Sequence, residues 1–196
     1  MQRETRQFLS ALIAIFILGG AVMAQDDDIA KQKKSEYQAA ALKAGDLSKG
    51  KLVFQSEKAA CKKCHEVGGK NKLAGPDLAV IGDKYTRDQL IQQVLEPSAR
   101  LHPDYASQIV ITTDGLTITG VLRQQSDKEL QLIDAEGKLV KIALDDVEDR
   151  KRSSTSLMPS DIYKNITADQ FSDLVEYLAS LKQAEGDAYP GMPSEI

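Results

Sequence analysis

The chain has 196 residues, is 42% hydrophobic and 28% charged, and carries a formal net charge of −4 at pH 7 with two cysteines and two histidines. This balance lacks the basic excess that phosphate backbones attract, which argues against nucleic-acid binding. Two cysteines are too few for a disulfide framework, and a four-ligand zinc site would have to recruit carboxylates.

Residues 1–24 read as a secretory signal. Arg3 and Arg6 give a basic start, Phe8 to Leu18 is an apolar run short for a bilayer, and Val22-Met23-Ala24 precedes Gln25. The expectation is a periplasmic or otherwise exported protein with no stable membrane span once the signal is removed; an uncleaved anchor is the competing reading. Losing Arg3, Glu4 and Arg6, a net +1, makes the mature chain more acidic by one unit. Residues 25–45 form a charged lead-in around Asp26-Asp27-Asp28, Lys31, Lys33 and Lys34, expected to be solvated and partly helical.

The first core helix is expected from Asp46 or Ser48, either a suitable N-cap, through Phe54. Gly50 and Phe54 share a face, where a glycine admits a second helix, and Leu52 and Val53 are assigned to the buried stripe.

The next stretch, Cys61-Lys62-Lys63-Cys64-His65, organises the rest. On one helical turn, positions i, i+3 and i+4 point the same way. Two thiols so spaced can add to the vinyl groups of a haem while the imidazole meets its iron, the chemistry that C-x-x-C-H carries. A thioredoxin-like dithiol, a zinc site and a chance match compete with it, but no βαβ pattern frames the cysteines. One covalently attached haem c per chain is therefore expected. It consumes both thiols and leaves none for a disulfide. After the Gly- and Lys-rich loop 68–72 comes Gly75-Pro76-Asp77-Leu78. A carbonyl at this Gly-Pro is expected to accept the Nδ1–H of His65, leaving Nε2 for a metal; a plain turn is the alternative.

Thr86-Arg87-Asp88-Gln89 has the form of a capping box, followed by Leu90, Ile91, Val94 and Leu95 on one helical face until Pro97. The periodicity then changes to two: Ile109 and Ile111; Leu116, Ile118 and Leu122; Leu130 and Leu132; Val140, Ile142 and Leu144. With turns at Asp114-Gly115 and Glu136-Gly137, these predict a four-stranded meander. Thr167-Ala168-Asp169-Gln170 opens a last helix whose Phe171, Leu174, Val175, Leu178 and Leu181 form the fullest apolar stripe in the chain, expected to bury against the Gly50/Phe54 helix.

A haem iron held by His65 has a second axial position. Met158, in Ser156-Leu157-Met158-Pro159, is one candidate donor. His102, in an Arg-Leu-His-Pro loop, reads as a surface residue, and ligation by two histidines remains the alternative.

These motifs in this order (C-K-K-C-H, G-P-D-L, L-E-P-S, T-T-D-G-L-T-I-T-G, S-L-M-P and I-T-A-D-Q-F-S-D-L-V-E-Y-L) resemble the planctomycete-type haem-binding domain, a class I-like monohaem cytochrome c with a β insert before the methionine loop. The resemblance covers about residues 45–181. It implies a mainly α cytochrome c fold, about four helices around a covalent haem, with a small antiparallel sheet of about four strands inserted. The corresponding organisation is a haem domain at 46–103 and 151–181, a β meander at 104–150 and a flexible tail at 182–196. Cys61 and Cys64 would be the thioether sites, His65 the proximal ligand, Pro76 its support and Met158 the distal ligand.

The function expected is electron transfer without enzymatic turnover, to or from a redox protein such as a separate dehydrogenase or a terminal oxidase. A five-coordinate or switchable haem acting as a peroxidase or gas binder, and a haem-stapled interaction module, are the alternatives. Lys58, Lys62, Lys63, Lys70 and Lys72, offset only by Glu66, are either a docking surface for an acidic partner or a solvated face. The β insert is expected to shield one haem edge or to meet that partner.

Overall fold

The structure, a computed structural model, describes residues 28–69 and 73–183. The expected signal, Lys70, Lys72 and nearly all of the tail lie outside the described residues. The chain divides into two units, residues 1–39 and 40–196. The described part of the first is helical, and this helix, α1, covers residues 28–41.

Four further helices follow: α2 (Leu47–Gln55), α3 (Ile81–Lys84), α4 (Arg87–Leu95) and α5 (Ala168–Ser180). Helix α2 begins where Asp46 accepts the amide N–H of Lys49 at 3.0 Å, satisfying one of the donors that a helix start leaves open. It buries Gly50, Val53 and Phe54 against α5. A Cβ on Gly50 would fall 2.6 Å from the carbonyl carbon of Asp173 and 2.8 Å from Cβ of Tyr177, so only glycine permits this crossing. Phe54 meets Tyr177 with ring centroids 5.6 Å apart and planes at 51°. Leu52, assigned to the buried stripe from sequence, is 67% exposed. Two residues on from Gly50 it lies roughly 200° around the helix, on the side away from α5.

Both capping boxes form. Thr86 and Gln89 open α4, Thr167 and Gln170 open α5, and each pair exchanges side-chain and backbone hydrogen bonds. Helix α5 buries Phe171, Leu174, Val175 and Leu178 as expected, together with Ser172 and Tyr177, whereas Leu181, expected in the same stripe, is the C-cap residue and only half-buried. Arg87 ties the helices to the chain ahead of α2. Its guanidinium donates to Ala41 O at 2.6 Å and to Glu176 Oε2 at 2.7 Å, and Glu176 also accepts the amide of Gly45 at 3.2 Å.

The sheet has five antiparallel strands rather than four: β1 (Ser107–Thr112), β2 (Thr117–Gln125), β3 (Glu129–Ile133), β4 (Leu139–Ala143) and β5 (Val147–Arg152), in the order β4-β3-β2-β1-β5. Strand β5, Val-Glu-Asp-Arg-Lys-Arg, has a single apolar residue, so it gives no alternation to read. Edge strands carry such charge because it discourages pairing with foreign strands.

Consecutive β4 and β5 occupy opposite edges, yet only Leu144–Asp146 joins them, wound as a 3₁₀ turn. Flat, the two edges would stand roughly 19 Å apart at the usual strand spacing. A link wound this tightly advances only about 2 Å per residue. The sheet must therefore curl until its edges approach at that corner. Its inner face holds Val110, Leu130 and Leu132, all fully buried, and Ile142, 5% exposed. On β1 the buried residue is thus Val110, whereas Ile109 and Ile111, expected on the core face, are half-buried on the other. Polar Gln108 and Thr112 flank Val110 and disguise the phase of the strand.

Candidate haem site

The site is built from the end of α2. Ala60 has φ 54°, a left-handed conformation rare outside glycine, and turns the chain sharply into the cysteines. Cys61–Lys63 is a 3₁₀ turn, tighter than an α-helix, with Cys64 N–H donating to Cys61 O at 3.2 Å and His65 N–H to the same oxygen at 2.9 Å. Both cysteines are free and half-buried. Burial pushes the Cys61 thiol up to about 11 and raises that of Cys64. That is opposite to the depressed values of reactive dithiol motifs.

His65 is fixed from behind. Its Nδ1 lies 2.9 Å from Pro76 O. A carbonyl oxygen only accepts, so Nδ1 carries the proton and Nε2 keeps its lone pair. Burial lowers the pKa of the ring below its ordinary 6.5, opposed by the Pro76 hydrogen bond and the charge of Asp77. The imidazole is therefore neutral at pH 7, the form that binds metals. Gly75 lies flat against it: a Cβ there would come within 2.7 Å of Nδ1 and closer still to Cε1. Asp77, to which the sequence reading gave no role, folds this loop by accepting amide N–H groups from Gly68 at 3.1 Å, Gly69 at 2.6 Å and Ala79 at 2.7 Å. An Asp just after Gly-Pro was the available signal, because its short carboxylate reaches nearby backbone.

Cys61, Cys64, His65 and Met158 all line one cleft, with about 1260 Å³ of space including the part open to solvent. Phe54, Leu90, Val94, Leu174 and Leu178, from α2, α4 and α5, make much of its wall. Met158 comes from a loop that lines the cleft and is braced by hydrogen bonds. Its amide donates to Ser156 Oγ at 3.1 Å, Ser156 N–H donates to Ser98 Oγ at 3.1 Å, and Ser107 Oγ donates to Thr155 O at 3.1 Å. His102 differs from its expected place, because it too lines the cleft and its side chain is only 26% exposed. Its Nδ1 accepts the amide of Asp104 at 3.2 Å and caps a short 3₁₀ turn, a structural use that its loop sequence did not reveal.

The outer face of the sheet closes one side of this region. Val121 and Ile133 pack with Ala74, against Cys64, Tyr105 and Leu157, and Val121 itself lines the cleft. The turn at Gly137 approaches the attachment motif so closely that a Cβ would lie 3.1 Å from Lys63 O. Among the described residues, no three His, Cys, Asp or Glu side chains gather as a metal-holding cluster, and no helix is long and apolar enough to cross a membrane. The donor set fits a haem. Two thiols stand beside a neutral imidazole with a free Nε2, on the wall of a mainly apolar cleft that also carries a thioether.

Residues 47–112, about a third of the chain, match the family model of cytochrome c. The matched span runs from the start of α2 through the Cys61–His65 motif to the end of β1 and stops short of Met158. The match carries a cofactor with it, a covalently attached haem c, and supports a haem c protein of the electron-transfer kind. A search of curated proteins found no match.

Proposed function

We propose that this chain is an exported monohaem electron carrier of the β-insert, planctomycete-type class, its haem bonded to Cys61 and Cys64 and its iron held between His65 and Met158. The observation that carries this reading is one cleft lined by all four side chains, with the His65 ring oriented by Pro76 O at 2.9 Å. Bound haem c supplies one-electron chemistry at its iron, and a thioether donor raises the potential relative to a second imidazole. The chain's own part is to bind, orient and exclude water. Pro76 and Gly75 hold the ring, the Ser98–Ser156 hydrogen bond braces the methionine loop, and the apolar walls from α2, α4 and α5 keep the surroundings of low polarity.

The test is the absorption and magnetic spectrum of the exported, purified chain with a thiol count and a redox titration. A low-spin haem with no free thiols and a reversible one-electron wave is expected. Colourless protein, or free thiols at both Cys61 and Cys64, would defeat the reading.

The partner we infer is an acidic redox protein that approaches the attachment motif, where Lys58, Lys62 and Lys63 are exposed. Steering by these charges makes association slow as salt is added. Charge reversal at Lys62 and Lys63 should abolish that dependence, whereas a rate indifferent to both would remove the docking surface.

A further inference from the structure

We propose that His102 is a second distal donor, kept in reserve beside Met158. The inference rests on the haem reading above and concerns what the same cleft does when the sulfur is lost.

Three observations bring His102 to this role. First, it lines the cleft that holds His65 and Met158, with most of its side chain covered. Second, its segment and the methionine loop form one braced wall. Ser98 and Ser107, on either side of His102, hold Ser156 and Thr155 by side-chain hydrogen bonds of 3.1 Å each, and Ser153 N–H donates to Ser107 O at 2.8 Å. The imidazole and the thioether therefore belong to two loops that hydrogen bonds hold together beside one cleft. Third, its resting tautomer explains why it is held back. Nδ1 accepts the Asp104 amide at 3.2 Å, so the neutral ring carries its proton on Nε2, the reverse of His65.

To donate through Nε2 the ring has to change tautomer. The Nε2 proton leaves to water, Nδ1 takes one from water, and no net charge moves. The new Nδ1–H faces the Asp104 carboxylate, whose Oδ2 stands 3.8 Å away, as a carboxylate partner stands behind a metal-binding histidine. The cost is the Asp104 amide cap. While Met158 donates, nothing offsets that cost. Once the sulfur is removed by substitution, or oxidised by a peroxide that transfers one oxygen atom to it and leaves as water or alcohol, taking the place of the lost donor does.

The experiment compares wild type, Met158→Ala, Met158→Leu, His102→Ala and the Met158→Ala/His102→Ala pair as haem-loaded proteins, with circular dichroism to establish folding. Magnetic and optical spectra report spin state and donor type, and redox titration reports the potential. Both single methionine variants should stay low-spin with a bis-imidazole signature and a potential shifted downward. The double variant should lose the low-spin signal and bind carbon monoxide readily when ferrous. His102→Ala alone should stay low-spin with a thioether donor.

High-spin Met158→Ala and Met158→Leu would overturn the proposal, as would a low-spin signal that survives in the double variant, since another donor would then be at work. A wild type already bis-imidazole and altered by His102→Ala would also overturn it, because His102 would be the resting ligand. In the first two cases the haem reading stands whole, and in the third only its Met158 ligand falls; a colourless wild type, or one with free thiols at both Cys61 and Cys64, sinks the two together.

Discussion

At the scale of single residues, the site depends on one missing side chain as much as on the donors. Gly75 leaves no room for a methyl group beside the His65 ring, so Gly75→Ala must displace either the imidazole or the Gly-Pro loop. Overpacking of this kind costs about 1–3 kcal/mol. The expected result is a lower thermal midpoint together with a perturbed haem spectrum, and unchanged values of both would contradict the geometry. The attachment motif was legible in the sequence because three chemically rare residues stand at fixed spacing. The supporting carbonyl was legible because Gly-Pro follows within a short loop. Asp77 and the inward position of His102 were not, because an Asp or a His in a loop has many uses and only folded backbone decides among them.

At the scale of elements, α5 is the rail on which the helical part is assembled. Gly45, Gly50 and Gly82 each bring backbone against it, and Arg87 locks its Glu176 to the chain ahead of α2. The Arg87 hydrogen bond, with the Gly45 amide, holds the Glu176 carboxyl below its ordinary 4.5. A carboxyl depressed by folding stabilises the protein above its ordinary value, and that contribution disappears as pH falls through the lower folded value. Urea unfolding of wild type and Glu176→Gln between pH 7 and pH 3 should therefore converge toward the acid end, and a constant gap would refute the linkage. Helices α2, α4 and α5 were predictable because N-caps and apolar stripes are local signals, whereas α3, a single turn at Ile81–Lys84 with no side-chain cap, offered none. Strand β5 was not, because a charged edge strand is stabilised by pairing with β1, a partner far back in sequence.

At the scale of the whole molecule, the sheet joins the site by its outer face. Ile133 is 5% exposed between Ala74 and Cys64, so Ile133→Ala should cost about 2–5 kcal/mol and loosen the wall beside the motif. Its readouts are the urea midpoint and the haem potential. A change in stability with the potential held constant would reduce the sheet to a scaffold. Nothing in the alternation of single strands announced the curl, which follows from which edges a three-residue link must join.

The curled sheet keeps its own apolar interior, Val110, Leu130, Leu132 and Ile142, apart from the cleft that the cofactor fills. A chain that has not yet received its porphyrin is thus expected to be unevenly protected. Amide deuteration should be slowest in β2 and β3 and rapid in α3 and α4, whose walls then face an empty space. Equal rates across both regions would mean that the two interiors open as one.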